Sequence, residues 1–218
     1  MAFQSLVSAS RQFFPKLQIK YKDQSLLMKI MSIFLFFNPN FMTKDTTTVG
    51  YTIYFPSEKF VKCHPASCEV ILLHELVHLY DQKRVGTLTF IISYLFPQIM
   101  VPICLLLFWL VSWKIMLPLT ILFLAPMPAV FRTYWEKRAY LSSIYILKLM
   151  GDKLHFNPHL KEQENVFLEH FHGSSYYFMW PFHDINKRFD EAIEMAKLGK
   201  RPFEDPVFNI LEHLAAKV

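Results

Sequence analysis

The chain has 218 residues, with 23 Lys and Arg against 18 Asp and Glu, a formal charge of +5, a hydrophobic share of 53% and a mean hydropathy of +0.22. Phe occurs 22 times and Gly only 5 times, which excludes a linker-rich or disordered chain. The positive charge is scattered, with no run of five like charges, so no nucleic-acid partner is expected and an anionic lipid surface is the better fit.

The first apolar stretch, Leu26 to Phe37, contains Lys29 and runs into Asn38-Pro39-Asn40 rather than a small-residue cleavage site. It falls short of the roughly 20 residues that cross a bilayer, and reads as a core or membrane-surface helix. Thr46 to Phe55 is rich in β-branched and aromatic residues and stops at Pro56. It is either a strand whose edge pairs with an extended peptide or a plain structural hairpin. Cys63 and Cys68 flank His64 at a spacing that is not a usual zinc pair, and Cys104 lies in an apolar run; ordinary reduced thiols are expected.

His74-Glu75-Leu76-Val77-His78 carries the most information. Histidines at i and i+4 lie one turn apart on one helical face, so both imidazoles reach the same ion. Glu75 stands beside that face, placed to take a proton from a zinc-activated water. Nine His and eleven Glu scattered at random over this length produce the pattern on the order of 0.02 times. Leu72, Leu73, Leu76, Val77 and Tyr80 recur at helical spacing, nothing interrupts the helix from Ala66 to Val85, and Gly86 is placed to end it.

From Val85 to Trp113 there is no charged residue, and from Ile115 to Phe131 again none; Lys114 alone separates the two runs. This block predicts a helical membrane hairpin with its turn near Ser112-Trp113-Lys114. Pro97, Pro102, Pro118, Pro126 and Pro128 kink it, so a shallow re-entrant form and a full span both stay open. Lys83 and Arg84 before the block and Arg132, Lys137 and Arg138 after it place both flanks, and the catalytic face, in the cytoplasm.

Catalytic zinc takes three protein ligands and leaves a fourth position for water. Glu136 is the candidate third ligand. It begins a long helical pattern through Leu141, Ile144, Tyr145 and Leu149 that ends at Gly151, and Ala139, one turn on, lets that helix approach the zinc helix closely. A hairpin also returns Glu136 to the side that holds His74 and His78. Beyond it, Pro158 to Phe171, Asp184 to Leu198 and Pro206 to Ala216 read as amphipathic helices. An aromatic segment between the first two supplies His172, Tyr177 and His183 as candidate donors to the oxyanion of an attacked carbonyl.

These residues resemble a known group, the integral-membrane glutamate zincins that include the CAAX prenyl proteases and the HtpX quality-control proteases. The resemblance covers roughly residues 67–150 and lies in His74-Glu75-x-x-His78, the hydrophobic hairpin after it, and Arg132-x-x-x-Glu136-x-x-Ala139. It implies zinc held by His74, His78 and Glu136, with Glu75 as general base. The family's acidic residue after the alanine, which orients a zinc histidine, is Tyr140 here; Asp81, one turn beyond His78, is the alternative support.

The sequence thus reads as mainly α with a small β element: an N-terminal part (1–84) with the short strand and the zinc helix, a membrane hairpin (85–131), and the glutamate helix with C-terminal helices (132–218). The expected function is a membrane-associated zinc metallopeptidase acting on peptides or membrane proteins at the lipid bilayer. The alternative is a catalytically inactive, membrane-anchored structural or pore-forming protein on the same scaffold.

Overall fold

Apolar spacing and polar punctuation make this a mainly helical chain with one small sheet. The computed structural model describes residues 2–35, 38–97, 99–108, 110–124, 129–154, 159–172 and 184–217. Helix α1 (Ala2–Phe13) leads to strand β1 (Gln18–Tyr21), a 3₁₀ turn at Lys22–Gln24 and α2 (Leu26–Phe34). A hairpin of β2 (Thr47–Val49) and β3 (Thr52–Phe55) precedes α3 (Glu58–Cys63) and the long α4 (Pro65–Val85). Helices α5 (Thr87–Leu95), α6 (Met100–Leu107) and α7 (Trp113–Leu124) carry the apolar block. Then come α8 (Val130–Leu154), α9 (Leu160–His172), α10 (Ile185–Lys197) and α11 (Val207–Ala215).

Local chemistry explains the element ends. Ser25 and Ser57 cap α2 and α3, each hydroxyl accepting a free backbone N–H, from Met28 and Phe60 respectively. Pro65 occupies the first turn of α4, where its missing N–H costs nothing, and Gly86 ends that helix at a φ of +92° that side-chain-bearing residues rarely adopt. Between those ends α4 is buried on nearly all sides. Leu72, Leu76 and Val77 have no exposed surface, which contributes roughly 1.5–3 kcal/mol each. Its polar residues Glu69, His74, Glu75, His78, Asp81 and Gln82 are buried too, an arrangement that requires partners on neighbouring elements. Helix α8 packs against α4 most extensively, and Ala139 has no exposed surface in the shared core.

The segment read as Thr46–Phe55 is a hairpin, turned by Gly50 at a φ of +58°. Strand β3 is central, with β1 parallel on one side and β2 antiparallel on the other. Ile53 and Phe55 point into the main core, while Tyr54 faces the other way onto Met28 of α2 and Phe41. Thr48 lies opposite Ile53 in register, so its side chain points inward with Ile53, toward α4. The Leu26–Phe37 stretch is a helix over the described Leu26–Phe34. It buries Met28 and leaves Leu26 and Ile33 72% and 70% exposed, the two-faced form that a surface helix takes.

The apolar block departs from the simple hairpin. No single helix among the described residues is long and apolar enough to cross a membrane, and α5 and α6 meet at 89° near Pro97. Proline there removes a backbone donor and disfavours helix in the preceding residue, which splits the first apolar run. Helix α5 packs on α4 and α8 and belongs to the body. Helices α6 and α7 pack on each other as a short apolar arm, with Leu106, Leu110 and Ile121 at 76%, 81% and 59% exposure.

Candidate metal centre

Helix α4 contributes His74, Glu75 and His78, and α8 contributes Glu136. One ligand atom from each of His74, His78 and Glu136 lies within 4.8 Å of the other two, and all three residues are buried. Glu136 Oε2 is 3.5 Å from His74 Nε2, and Oε1 is 3.6 Å from His78 Nε2. A tetrahedral ion with bonds of about 2.0–2.1 Å needs ligand atoms roughly 3.3–3.4 Å apart. Glu136 Oε2 is moreover buried and accepts no hydrogen bond among the described residues. A buried carboxylate oxygen without a hydrogen bond, facing an imidazole nitrogen at this spacing, fits a cation held between the two. The three residues form a group that could bind a metal ion.

The two histidines are held differently. Ser143, two turns beyond Glu136 on α8, places Oγ 3.2 Å from His74 Nδ1 and donates its own proton to the Ala139 carbonyl. The hydroxyl therefore accepts from His74 Nδ1–H, and this fixes the tautomer that turns the Nε2 lone pair toward the site. His78 Nδ1 is buried and has no hydrogen-bond partner among the described residues. Burial drives the His78 pKa down, but the Glu136 carboxylate drives it up further, and the net result is a rise to about 9. Burial raises the Glu136 pKa, and the two histidines more than reverse this, holding it below the usual carboxylate range.

Glu75 is turned aside from the three ligands. Its Oε2 accepts a 2.6 Å hydrogen bond from Thr48 Oγ1 on β2, one of the two edge strands of the described sheet. The sequence-predicted strand therefore does stand next to the catalytic candidate, and Thr48 is the contact. On the other flank, the Tyr140 ring packs against the His74 ring at a centroid distance of 4.6 Å and an angle of 63°, backed by Phe167 and Phe171 of α9. Phe90 and Tyr94 of α5 line the His78 side, with ring centroids 6.0 and 6.1 Å away.

Asp81, read as support for a zinc histidine, faces α8 instead. It is fully buried, and both carboxylate oxygens accept from Arg138 Nε at 3.0 Å. Arg138 also pairs with Asp205 at 3.0 Å, and Arg84 with Asp205 at 3.1 Å. The group next to a site histidine is Ser143. Tyr177 and His183 lie outside the described residues, as does the side chain of His172, which closes α9.

Three contacts were not foreseen from the sequence: Thr48 on Glu75, Ser143 on His74, and Tyr94, whose hydroxyl donates to Glu136 Oε1. Ser143 alone had a readable signal, since it shares a helical face with Glu136 seven residues earlier. Comparison of the chain with family models, curated proteins and solved structures returns no match.

Proposed function

We propose that this protein is a membrane-associated zinc metallopeptidase. The observation that carries the reading is the buried His74–His78–Glu136 group with Glu75 standing beside it, outside the ligand set. Two imidazoles and one carboxylate suit zinc better than the harder divalent ions, which prefer all-oxygen sites. A zinc ion bound there supplies Lewis acidity, polarising a carbonyl and making a water acidic enough to attack at neutral pH. Glu75 takes the proton of the attacking water and passes it to the leaving amine. Thr48 aims that carboxylate: its hydroxyl holds Oε2 and leaves Oε1 for the proton. Strand β2, which carries Thr48, pairs with β3 on one side only among the described residues, so an extended peptide laid on its other edge lies beside Glu75.

The apolar arm supports the membrane part of the reading. Its exposed leucines and isoleucines form a surface that water does not favour and a bilayer does. The arm begins where α5 ends, so the site sits at the base of the inserted element, a placement suited to membrane-emerging substrates. The flanking charge is thinner than the sequence count: Arg84 and Arg138 sit in the Asp81–Asp205 cluster, and Arg132 donates to the Tyr94 carbonyl. The cytoplasmic orientation then rests chiefly on Lys83 and Lys137.

The test is Glu75→Gln in detergent-purified protein, with elemental analysis and a peptide-cleavage assay run in parallel. About one zinc per chain with peptide hydrolysis lost is the expected result. Equal hydrolysis by wild type and variant refutes the peptidase. Zinc bound by a wild type that cleaves nothing favours the inactive scaffold.

A further inference from the structure

Tyr94 plays no part in the peptidase reading, yet its hydroxyl donates a hydrogen bond to the third ligand of the candidate centre, at Glu136 Oε1. The residue is fixed from several directions. Its ring stacks on Phe90 at 5.7 Å and 24° and meets the His78 ring edge-on at 6.1 Å. Its carbonyl accepts from Arg132 Nε at 3.0 Å, and the Arg132 guanidinium lies 5.1 Å from the ring centroid. One residue earlier, Ser93 Oγ accepts from the Trp135 indole N–H at 3.0 Å. The last turn of α5 is thereby joined to the first turns of α8 at the residues around Glu136.

The two oxygens of Glu136 are consequently unlike. Oε1 holds the phenol, whereas Oε2 is buried, accepts no hydrogen bond among the described residues and stands 3.5 Å from His74 Nε2. An ionised carboxylate is acceptor-only, so an oxygen engaged with a phenol is less available to a cation, and the other is the free one. We propose that Tyr94 is a positioning residue that makes Glu136 a one-oxygen ligand, holding Oε1 and presenting Oε2 to the metal. With one nitrogen from each histidine and one oxygen from Glu136, a four-coordinate ion keeps one position open for water or substrate. With both oxygens engaged, that position is filled. The inference rests on the metal reading above and adds which atom binds.

Tyr94→Phe tests it, because phenylalanine keeps the ring contacts and removes only the hydroxyl. Zinc affinity is measured by competition with a chromophoric chelator, and coordination by the visible absorption of the cobalt(II) form. Ser93→Ala, which breaks the neighbouring Trp135 contact without touching Glu136, is the control for loosening of α5 on α8. The expected result for Tyr94→Phe is zinc held about 10–100-fold more weakly, together with weaker cobalt bands as a second carboxylate oxygen joins the ion. Ser93→Ala leaves the cobalt spectrum as in the wild type. An unchanged cobalt spectrum in Tyr94→Phe overturns the inference whatever the affinity does, since a loosened fold weakens binding without changing which atoms bind. A wild type that takes up neither metal overturns the metal reading and this inference with it. A wild type that takes up one equivalent, with Tyr94→Phe spectrally identical, overturns the inference alone.

Discussion

His74 and His78 occupy equivalent positions in the motif and unequal positions in the fold. Ser143 accepts from His74 Nδ1, so Ser143→Ala leaves that N–H buried and unpaired. The expected consequence is metal affinity about 10–100-fold weaker, read by chelator competition. His78 has no such support and instead carries a proton shared with the Glu136 field, with a pKa raised to about 9. A raised histidine pKa adds stability that is complete below the unfolded value near 6.5 and is lost as pH rises through the folded value. Lys22, fully buried and donating to the Phe41 carbonyl, is lowered by burial to about 8, so its own contribution changes only above that pH. Between pH 6.5 and 8 the metal-free protein therefore loses roughly 1–2 kcal/mol, measurable by denaturant titration. Metal must displace the same proton. Calorimetry in two buffers of different ionisation enthalpy should count about one proton released per ion at pH 7.5, and a count of zero would show His78 already neutral. The motif and Glu136 were legible because helical spacing is local. Thr48 and Tyr94 were not, because one hydroxyl among many carries no pattern, and the fold brings them to Glu75 and Glu136 from 27 and 42 positions away.

At the scale of elements, the site exists because α4 and α8 can bury polar side chains between them, and an ion cluster next to the site shows the cost. Asp81 has no exposed surface, Arg138 is 8% exposed, and Asp205 completes the pair from the segment before α11. Removing one member leaves charge buried without compensation. Arg138→Met is expected to cost about 3–5 kcal/mol, and the double variant with Asp81→Asn to recover part of it; a single variant with unchanged Tm would show that the cluster relaxes into water. Asp81 bonds Arg138 rather than a site histidine, and the reason is geometric. It follows His78 by three residues, close enough along the helix to suggest support for that ring, but its rotation carries it to Arg138. The C-terminal helices were readable from their amphipathic spacing: α10 and α11 lie within the segments so identified, and α9 runs one residue past its segment, to His172. Strand β1 was not, because Gln18-Ile19-Lys20-Tyr21 alternates polar and apolar over only four residues and gains its identity from pairing with β3.

For the whole molecule, the arm and the centre are separable in space and joined in sequence. Helices α6 and α7 pack on each other, while the ligands lie on α4 and α8. The length of the uncharged block was legible, but its division was not, since composition cannot tell an apolar helix that packs on the body from one that leaves it. Helix α5 shows the first case: Phe90 is 6% exposed against the ligand helices, whereas Leu106 of α6 is 76% exposed. Placing Asp at two exposed arm positions, Leu106→Asp and Ile121→Asp, therefore tests the membrane role without entering the site. Aspartate deep in a bilayer costs about 2.5–3.5 kcal/mol per residue, so the double variant should leave vesicles of anionic and zwitterionic phospholipid roughly ten-thousandfold more readily in a flotation assay. Its zinc stoichiometry should match the wild type, because both side chains are mostly exposed and the ligands lie on other helices. Equal flotation of the two proteins would place the lipid contact elsewhere, with the exposed face of α2, Leu26 to Ile33, the next surface to substitute. Loss of zinc together with loss of flotation would instead show that the arm is packed against the body in solution, and that the exposed leucines are part of its core.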